Sequence, residues 1–233
     1  MNSPKISKRL LCAANFARTG EFIADVGTDH AYLPIYLYTK GIIRGAVVSD
    51  INEGPIERAE KNIREFSCEK KITPILCDGL AKIGEYSPDT VFILGMGGEL
   101  IVNIISNAEW LKKNGTRLVM QAMTHTEILR EYLINNGFEI SDEAIVEDSK
   151  IYQITVATYN CNANITKADK LELRFGKINL LKREPILLKA LMREKEILGA
   201  RLDGKKKAGL DGGEDAELLS LIENYLEENK NTI

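Results

Sequence analysis

Short apolar runs rich in β-branched residues alternate with amphipathic stretches along the first two thirds of the chain. Each apolar run is bounded by Gly, Asp, Pro or Asn, a pattern that predicts strands. The five predicted strands are residues 22–27, 46–50, 72–78, 90–95 and 116–120. The stretches between them have helical spacing and are residues 32–39, 55–66, 99–111 and 126–135. Because strands that alternate with helices are joined by right-handed crossovers, the pattern predicts a doubly wound α/β fold with a parallel sheet.

The pattern changes after the fifth predicted strand. Residues 138–147 and 151–159 are two extended runs with only a short polar segment between them, which predicts a hairpin and hence one antiparallel strand. The sheet is therefore predicted to be seven-stranded and mostly parallel. Residues 160–164 are polar and predict a linker, so we expect the sheet domain to comprise residues 1–163.

Helical spacing returns in the last third of the chain. Residues 178–202 are rich in Leu, Lys, Arg and Glu, and residues 214–228 repeat apolar side chains at helical spacing. Residues 203–209 are predicted to form the turn between these helices, and Pro185 is predicted to kink the first of them. We therefore expect residues 164–233 to form a helical, coiled-coil-like hairpin domain.

Composition limits the class of protein further. The chain has 233 residues, of which 44% are hydrophobic, and a formal net charge of -3, as in an ordinary globular protein. No apolar run approaches the roughly 20 residues needed to cross a bilayer, and the first residues do not form a signal peptide. A cytoplasmic protein without a membrane partner is expected. The 4 cysteines include no CxxC pair, so neither a disulfide framework nor a metal site is predicted.

Positive charge is concentrated locally in a chain that is acidic overall. Residues 177–207 contain ten Lys or Arg side chains and four Asp or Glu side chains, which predicts a phosphate-binding arm. A coiled coil with mixed surface charges is the alternative.

Residues 5–10 begin an amphipathic helix whose basic side, with Arg9, would face a cofactor carboxylate or an RNA phosphate. An ordinary solvated helix face is the alternative there.

The turn after the first strand is the best candidate for a ligand site. In doubly wound sheets the ligand lies outside the carboxyl ends of the strands, and Gly27 would let the backbone approach it closely. The turn lacks a full G-x-G-x-x-G motif, and Asp25 and Asp29 would repel a pyrophosphate. S-adenosylmethionine instead carries a sulfonium and an ammonium group, which carboxylates favour. The alternative is that Asp29 only caps the following helix.

The ends of the next three strands add to this candidate site. Asp50 ends the second strand, where a carboxylate can accept both hydroxyls of an adenosine ribose. Asp78 ends the third and can accept from an adenine amine, while Gly79 leaves room for the ring. The fourth ends in the glycine-rich segment 95–98, which would expose backbone groups beside a reaction centre; three glycines indicate a ligand, because a plain turn would need one.

The two histidines, His30 and His125, each follow a predicted strand end. Neither has a partner at metal-ligand spacing, and a lone histidine is more often a hydrogen-bonded structural residue than a catalytic base.

With these motifs in place, the chain resembles the TrmK family of bacterial tRNA (adenine(22)-N1)-methyltransferases. A parallel sheet that ends in an antiparallel hairpin is also the usual topology of the Rossmann-like class I methyltransferases. The segments that carry the resemblance are residues 5–10, 24–34, 54–55, 78–80 and 95–98, together with the terminal helical hairpin. One departure is that Gln121 is followed by Ala122, where the family has a Gln-Pro pair.

The resemblance implies methyl transfer from S-adenosylmethionine to N1 of an adenine in the D-arm region of tRNA. The cofactor-binding residues are predicted to be Arg9, Asp25, Gly27, Thr28, Asp50, Ile51, Asp78, Gly79 and Gly95. The residues at the reaction centre are predicted to be Asp29, His30, Gly95 and Met96, which would act by orienting the adenine. The expected partner is tRNA, and a monomer is expected.

Three alternatives to this function follow from the residues alone. A methyltransferase could act on a small molecule or a protein, with the helical hairpin as a lid or a dimer surface. A second alternative is a non-catalytic RNA-binding or nucleotide-sensing module that keeps the fold without the chemistry. A nicotinamide-dependent dehydrogenase is the weakest of the three, because the turn after the first strand lacks the full G-x-G-x-x-G motif that binds a pyrophosphate.

Overall fold

Parallel strands form most of the sheet in the first of two compact units, residues 1–166. The computed structural model describes residues 3–113, 115–163 and 167–230. The strands in the described part of the chain are β1 Phe22–Val26, β2 Gly45–Asp50, β3 Ile72–Leu76, β4 Thr90–Met96, β5 Arg117–Ala122, β6 Phe138–Glu147 and β7 Ile151–Tyr159. They form one 7-stranded sheet in the order β3-β2-β1-β4-β5-β7-β6. Among these strands β7 alone runs in the opposite direction, so its pairings with β5 and β6 are antiparallel, which confirms the predicted sheet and hairpin.

Helices cover both faces of this sheet. They are α1 Lys8–Ala14, α2 Tyr32–Thr39, α3 Glu53–Glu65, α4 Gly98–Ser106 and α5 Thr126–Asn135. One apolar cluster joins α4 and α5 to one face, and a second joins α1, α2 and α3 to the other. Successive strand residues enter opposite clusters, as Ile23 and Ala24 do, because side chains alternate along a strand. Burial on both faces explains why the strands are almost continuously apolar.

The helix predicted at residues 99–111 is shorter than expected. It ends at Ser106, and a separate 3-10 turn follows at Glu109–Lys112. The Nδ2 group of Asn107 donates to the carbonyl of Asn103 at 2.8 Å. This side-chain contact satisfies one of the carbonyl groups that a helix leaves unpaired at its end, so the apolar spacing continues while the helix does not.

The second unit comprises residues 167–233, and its described part, residues 167–230, is helical. Its helices are α6 Lys170–Phe175, α7 Lys177–Lys182, α8 Pro185–Lys207 and α9 Gly213–Glu228. The prediction of one helix kinked at Pro185 was wrong, because the chain breaks there. Arg183 has a φ of +54° and Glu184 is extended, as residues before proline usually are, so α8 begins afresh with Pro185 in its first turn.

The predicted turn at residues 203–209 was also wrong, because α8 continues to Lys207. Gly209 then adopts a φ of +67°, and its N–H donates to the carbonyl of Lys206 at 3.3 Å. The N–H of Leu210 donates to the carbonyl of Lys205 at 2.9 Å. These two bonds form a Schellman motif, which places the end of the helix at the second glycine of this segment rather than at Gly204.

Helices α8 and α9 run antiparallel, as predicted for the hairpin. Ion pairs join Lys195 to Glu223 at 2.9 Å and Arg201 to Asp215 at 3.1 Å. The residue numbers of the partners on α9 therefore decrease as those on α8 increase, as in an antiparallel pair. The coiled-coil-like character of this unit stays a prediction. The domain boundary predicted between residues 163 and 164 also stays a prediction, because residue 164 lies outside the described residues.

Candidate functional site

The carboxyl ends of the parallel strands meet at one edge of the sheet. Strand β1 lies between β2 and β4, so the strand order reverses beside it, which is the position where doubly wound sheets have their ligand crevice. Val26 pairs with Ser49 and Asp50 pairs with Leu76, which brings the ends of β1, β2 and β3 side by side. Asp25 lies one residue inside β1, Asp50 ends β2, and Asp78 follows β3.

Asp25 is buried at the edge of this crevice. Burial raises the pKa of its carboxyl group from the ordinary value of 3.8 to about 6, against the opposing effects of a hydrogen bond from Thr28 and the positive charge of Arg9. A carboxylate with so little solvation at neutral pH is stabilised by any cation that binds beside it.

The turn after β1 folds back onto β2. The N–H groups of Gly27 and Thr28 both donate to the carbonyl of Ser49, at 2.8 and 3.0 Å. Gly27 has a φ of +73°, and a Cβ atom there would lie 1.9 Å from Cε of Met96. The turn therefore needs glycine for its conformation, and the missing side chain lets Met96 lie against it.

One oxygen of the Asp50 carboxylate already accepts hydrogen bonds within the described part of the chain, and the other does not. Its Oδ1 atom accepts from the N–H and the Nδ2 group of Asn52, at 2.8 and 3.2 Å. Among the described residues no group donates to its Oδ2 atom, which leaves acceptor capacity for a ligand. The next side chain, Ile51, is 60% exposed and offers an apolar surface beside this carboxylate. Asp78 is exposed, and Gly79 has a φ of +51°.

The glycine-rich segment after β4 has two separate roles. Gly95 has a φ of +81° at an irregularity in the β4–β5 pairing, and a Cβ atom there would lie 3.7 Å from Nη1 of Arg9. Gly98 instead packs against the turn after β5, since a Cβ atom there would lie 2.1 Å from the carbonyl oxygen of His125. Gly98 is thus required for packing between two turns, and its presence is not a sign of a ligand.

Asp29 and His30 form a polar cluster with two residues of α3. The Oδ1 atom of Asp29 accepts from Nε and Nη2 of Arg58, at 2.9 and 2.5 Å, and its Oδ2 atom lies 3.2 Å from Nε2 of His30. Asn62 places its Nδ2 group 3.4 Å from Nδ1 of His30. These contacts engage both ring nitrogens of His30, so the geometry favours an orienting role for this side chain over that of a proton acceptor.

The alternative reading of Asp29 as a helix cap was wrong. Helix α2 has Ala31 at its N-cap position, without a side-chain cap. The N–H of Ala31 donates instead to Oγ1 of Thr28, at 3.0 Å. Asp29 is therefore not needed to begin the helix, and its carboxylate faces the polar cluster.

Arg9 reaches the same crevice from α1. This helix begins at Lys8, later than the predicted start at Lys5, because the hydroxyl of Ser7 accepts from the N–H of Leu10. Nη1 of Arg9 donates to Oε1 of Gln121 at 2.8 Å. Neither Gln121 nor Arg58 was predicted from the sequence to have a role. The signal that could have revealed Gln121 was an amide that directly follows the apolar run at residues 118–120 of a central strand.

Ion pairs engage several cations of the predicted phosphate-binding arm. Lys177 lies 3.7 Å from Glu172, and Lys205 lies 2.7 Å from Asp215. The local excess of positive charge is therefore partly neutralised by α6 and α9. Lys206 and Lys207, at the end of α8, have no ion-pair partner among the described residues.

Two further properties concern the described part of the chain alone. No helix there has the length and hydropathy of a bilayer-spanning segment. No group of three or more His, Cys, Asp or Glu side chains there is arranged to hold a metal ion.

Comparison with known proteins places this architecture among methyltransferases. A family profile described as a methyltransferase domain matches residues 6–155. The chain is 35% identical over 158 residues to the tRNA (adenine(22)-N(1))-methyltransferase of Bacillus subtilis, a match that covers 67% of this chain and 66% of that protein.

Two solved structures match almost the whole chain. The Streptococcus pneumoniae protein Sp1610, in complex with S-adenosyl-L-methionine, has a TM-score of 0.84 and 32% identity, and the match covers 95% of this chain and 100% of that one. M. capricolum TrmK, in complex with the cofactor product S-adenosyl-homocysteine, has a TM-score of 0.82 and 26% identity, with 95% and 98% of the two chains covered.

Proposed function

Because the chain belongs to the TrmK family of tRNA (adenine(22)-N1)-methyltransferases, we propose that it transfers the methyl group of S-adenosylmethionine to N1 of adenine 22 in tRNA. The observation that carries the proposal is the convergence of Asp25, Asp50 and Asp78 on one sheet edge, beside the crevice where the strand order reverses. A chain with these carboxylates and no phosphate loop is suited to a cationic adenosyl ligand.

The residues at this edge fit the parts of the cofactor. Asp50 has acceptor capacity for the ribose hydroxyls, while the exposed Ile51 and the Asp78–Gly79 turn suit the adenine. Around the methionine part we place the turn residues Gly27 and Thr28, the charges of Asp25 and Arg9, and the backbone of Gly95. When bound there, S-adenosylmethionine supplies an electrophilic methyl group.

Catalysis by positioning is sufficient for this reaction. Adenine N1 is unprotonated at neutral pH, so no strong general base is required once the base has left its stack and its lone pair is in line with the methyl group. We assign this orientation to Asp29, His30, Gly95 and Met96. The Asp29 carboxylate would accept from the exocyclic amine and stabilise the positive charge that develops on the ring.

The substrate also determines the surroundings we propose for the protein. Lys206 and Lys207 have charges available for tRNA phosphates, and the helical unit is our candidate for that contact. We place the protein in the cytoplasm, where tRNA is modified in bacteria. A monomer stays a prediction.

Incubation with labelled S-adenosylmethionine and unmodified tRNA, followed by nucleoside analysis, tests the function. We expect 1-methyladenosine at position 22, and a tRNA that carries guanosine there should stay unmethylated. Absence of 1-methyladenosine would overturn the proposal.

In the same assay Asp29→Asn should bind the cofactor normally and methylate at least about tenfold more slowly, since it loses a charged acceptor at the reacting ring.

A matched variant separates the carboxylate from its ion pair. Arg58→Gln removes the partner of Asp29 but keeps the carboxylate, so its rate should fall less than that of Asp29→Asn. Full methylation by Asp29→Asn, with unchanged cofactor affinity, would remove Asp29 from the reaction centre.

Cofactor binding should depend on pH through Asp25. Its pKa of about 6 in the folded protein means that protonation removes the negative charge as the pH falls through this value. Affinity for S-adenosylmethionine, measured by calorimetry, should be about tenfold weaker near pH 5 than near pH 7, because one proton must leave before the cation binds. Asp25→Asn should bind weakly at both pH values, so a pH dependence that survives in this variant would assign the effect to another group.

The raised pKa of Asp25 also affects the stability of the ligand-free protein, which should decrease as the carboxyl group ionises. A carboxyl whose pKa is raised on folding contributes stability that is present below its ordinary value of 3.8 and is lost as the pH rises through about 6. Asp25→Asn should therefore unfold at a higher temperature than the wild type above that pH, and the difference should shrink in acid.

A further inference from the structure

Gln121 is a fully buried amide near the end of β5. Its Oε1 atom accepts from Nη1 of Arg9 at 2.8 Å, and its Nε2 group donates to the thioether of Met123 at 3.3 Å. A buried amide destabilises a strand unless both of its ends are hydrogen-bonded, and an aliphatic side chain would pack at this position without that requirement. The contact with Arg9 is the feature that an aliphatic residue could not provide.

Arg9 makes two further contacts, one through its side chain and one through its backbone. Its guanidinium carbon lies 5.6 Å from the centre of the Tyr152 ring, within the range of a cation–π interaction. Its backbone N–H donates to Oδ2 of Asp148 at 3.3 Å. Both residues belong to the end of the β6–β7 hairpin. Gln121 of β5 and Tyr152 of the hairpin therefore hold the guanidinium, while Asp148 anchors the backbone of Arg9.

The fixed guanidinium lies beside the cofactor crevice. Its Nη1 atom is 3.7 Å from the place of a Cβ on Gly95, and its charge acts on the carboxyl group of Asp25. One positive and one negative side chain thus border the same point, where β1 and β4 diverge. This pair complements the carboxylate and the ammonium of an α-amino acid, which is the part that distinguishes S-adenosylmethionine from a simple adenosine.

We propose that Gln121 is a positioning residue that holds Arg9 against the carboxylate of the cofactor's methionine part. The inference rests on the proposed function, because it takes S-adenosylmethionine as the ligand. Glutamine suits the task because its carbonyl fixes the guanidinium without neutralising it. A glutamate at the same place would hold Arg9 as well but would cancel the charge that the ligand needs.

Two ligands that differ only in the amino acid test the proposal. S-adenosylhomocysteine contains the α-amino acid, and 5′-methylthioadenosine lacks it. By calorimetry, Gln121→Met should bind S-adenosylhomocysteine about tenfold more weakly, as expected for loss of a hydrogen bond to a charged group, and should bind 5′-methylthioadenosine like the wild type. Gln121→Glu should behave in the same way. A merely structural role would weaken both ligands together.

A double variant shows whether Gln121 acts through Arg9. Arg9→Met should lose at least as much affinity for S-adenosylhomocysteine as Gln121→Met, and Arg9→Met/Gln121→Met should lose no more than Arg9→Met alone. Additive losses, equal losses for the two ligands, or an unchanged Gln121→Met would each overturn the proposal. These results do not depend on the methylation of tRNA by the wild type, which tests the proposed function separately. A wild type that binds neither ligand would instead contradict the proposed function.

Discussion

Replacing Arg130 by methionine should lower the free energy of unfolding by about 3 to 5 kcal/mol, the range for removing one member of a buried ion pair. Nε of Arg130 lies 2.7 Å from Oε1 of Glu143, and Nη2 lies 2.7 Å from Oε1 of Gln153. The side chains of Arg130 and Glu143 are 2% and 1% exposed, so the variant leaves a carboxylate in the core without its guanidinium. Urea denaturation followed by the fluorescence of Trp110, the single tryptophan, reports on this unit.

The compensating variant gives the control. Arg130→Met/Glu143→Leu removes both charges, and we expect it to recover at least about half of the lost stability, because apolar side chains can fill a buried ion-pair site. A single variant that loses less than about 1 kcal/mol would show that water reaches this carboxylate. Affinity for S-adenosylhomocysteine should be unchanged in the folded fraction, since the pair joins α5 to the hairpin and lies outside the crevice residues.

Gly98→Ala should also be severely destabilising, by about 3 kcal/mol. The added Cβ would lie 2.1 Å from the carbonyl oxygen of His125, and this neighbour is backbone, which cannot rotate away as a side chain does. The N–H of Gly98 also donates to the carbonyl of Thr124 at 2.8 Å, so separating the two turns breaks a hydrogen bond. Thermal unfolding and cofactor titration should both report the change, because Gly95 and Met96 lie on the same turn.

The neighbouring glycine is a matched control. A Cβ on Gly97 would meet only Oγ1 of Thr124, at 3.3 Å, and Gly97 has a φ of -66°, which any residue adopts. Gly97→Ala should therefore cost no more than about 1 kcal/mol, mainly from its position at the start of α4. Similar losses in the two variants would mean that the segment needs glycines for a reason other than contact with the turn after β5.

The strands and the terminal hairpin were predictable because their signals are local. An apolar run bounded by turn residues identifies β1 to β5 one at a time, and the short gap before β7 identifies the hairpin. The error around Pro185 arose because the Leu, Lys and Glu spacing runs through the proline, while the break depends on the backbone of Arg183. The end of α8 was misplaced for the same reason: it depends on the backbone hydrogen bonds around Gly209, which the spacing of apolar side chains does not reveal.

The candidate site was predictable to the extent that strand ends define it. Asp25, Asp50 and Asp78 could be grouped because parallel strands end at a common edge. The contact between Arg9 and Gln121 could not, because the two residues are 112 positions apart and no spacing in the sequence links them. The polar cluster around Asp29 was likewise hidden, since Arg58 reaches it from another helix.

The pairing of β1 with β4 also has a consequence for how the protein is made. Ile23 lies beside Thr90, so a newly synthesised chain cannot close the crevice until its fourth strand has left the ribosome. The first three strands carry the carboxylates proposed to bind the adenosyl group, and they leave the ribosome before β4 is available to complete the site. Cofactor can therefore assist only the late stages of folding, and fragments that stop short of β4 should gain no stability from it.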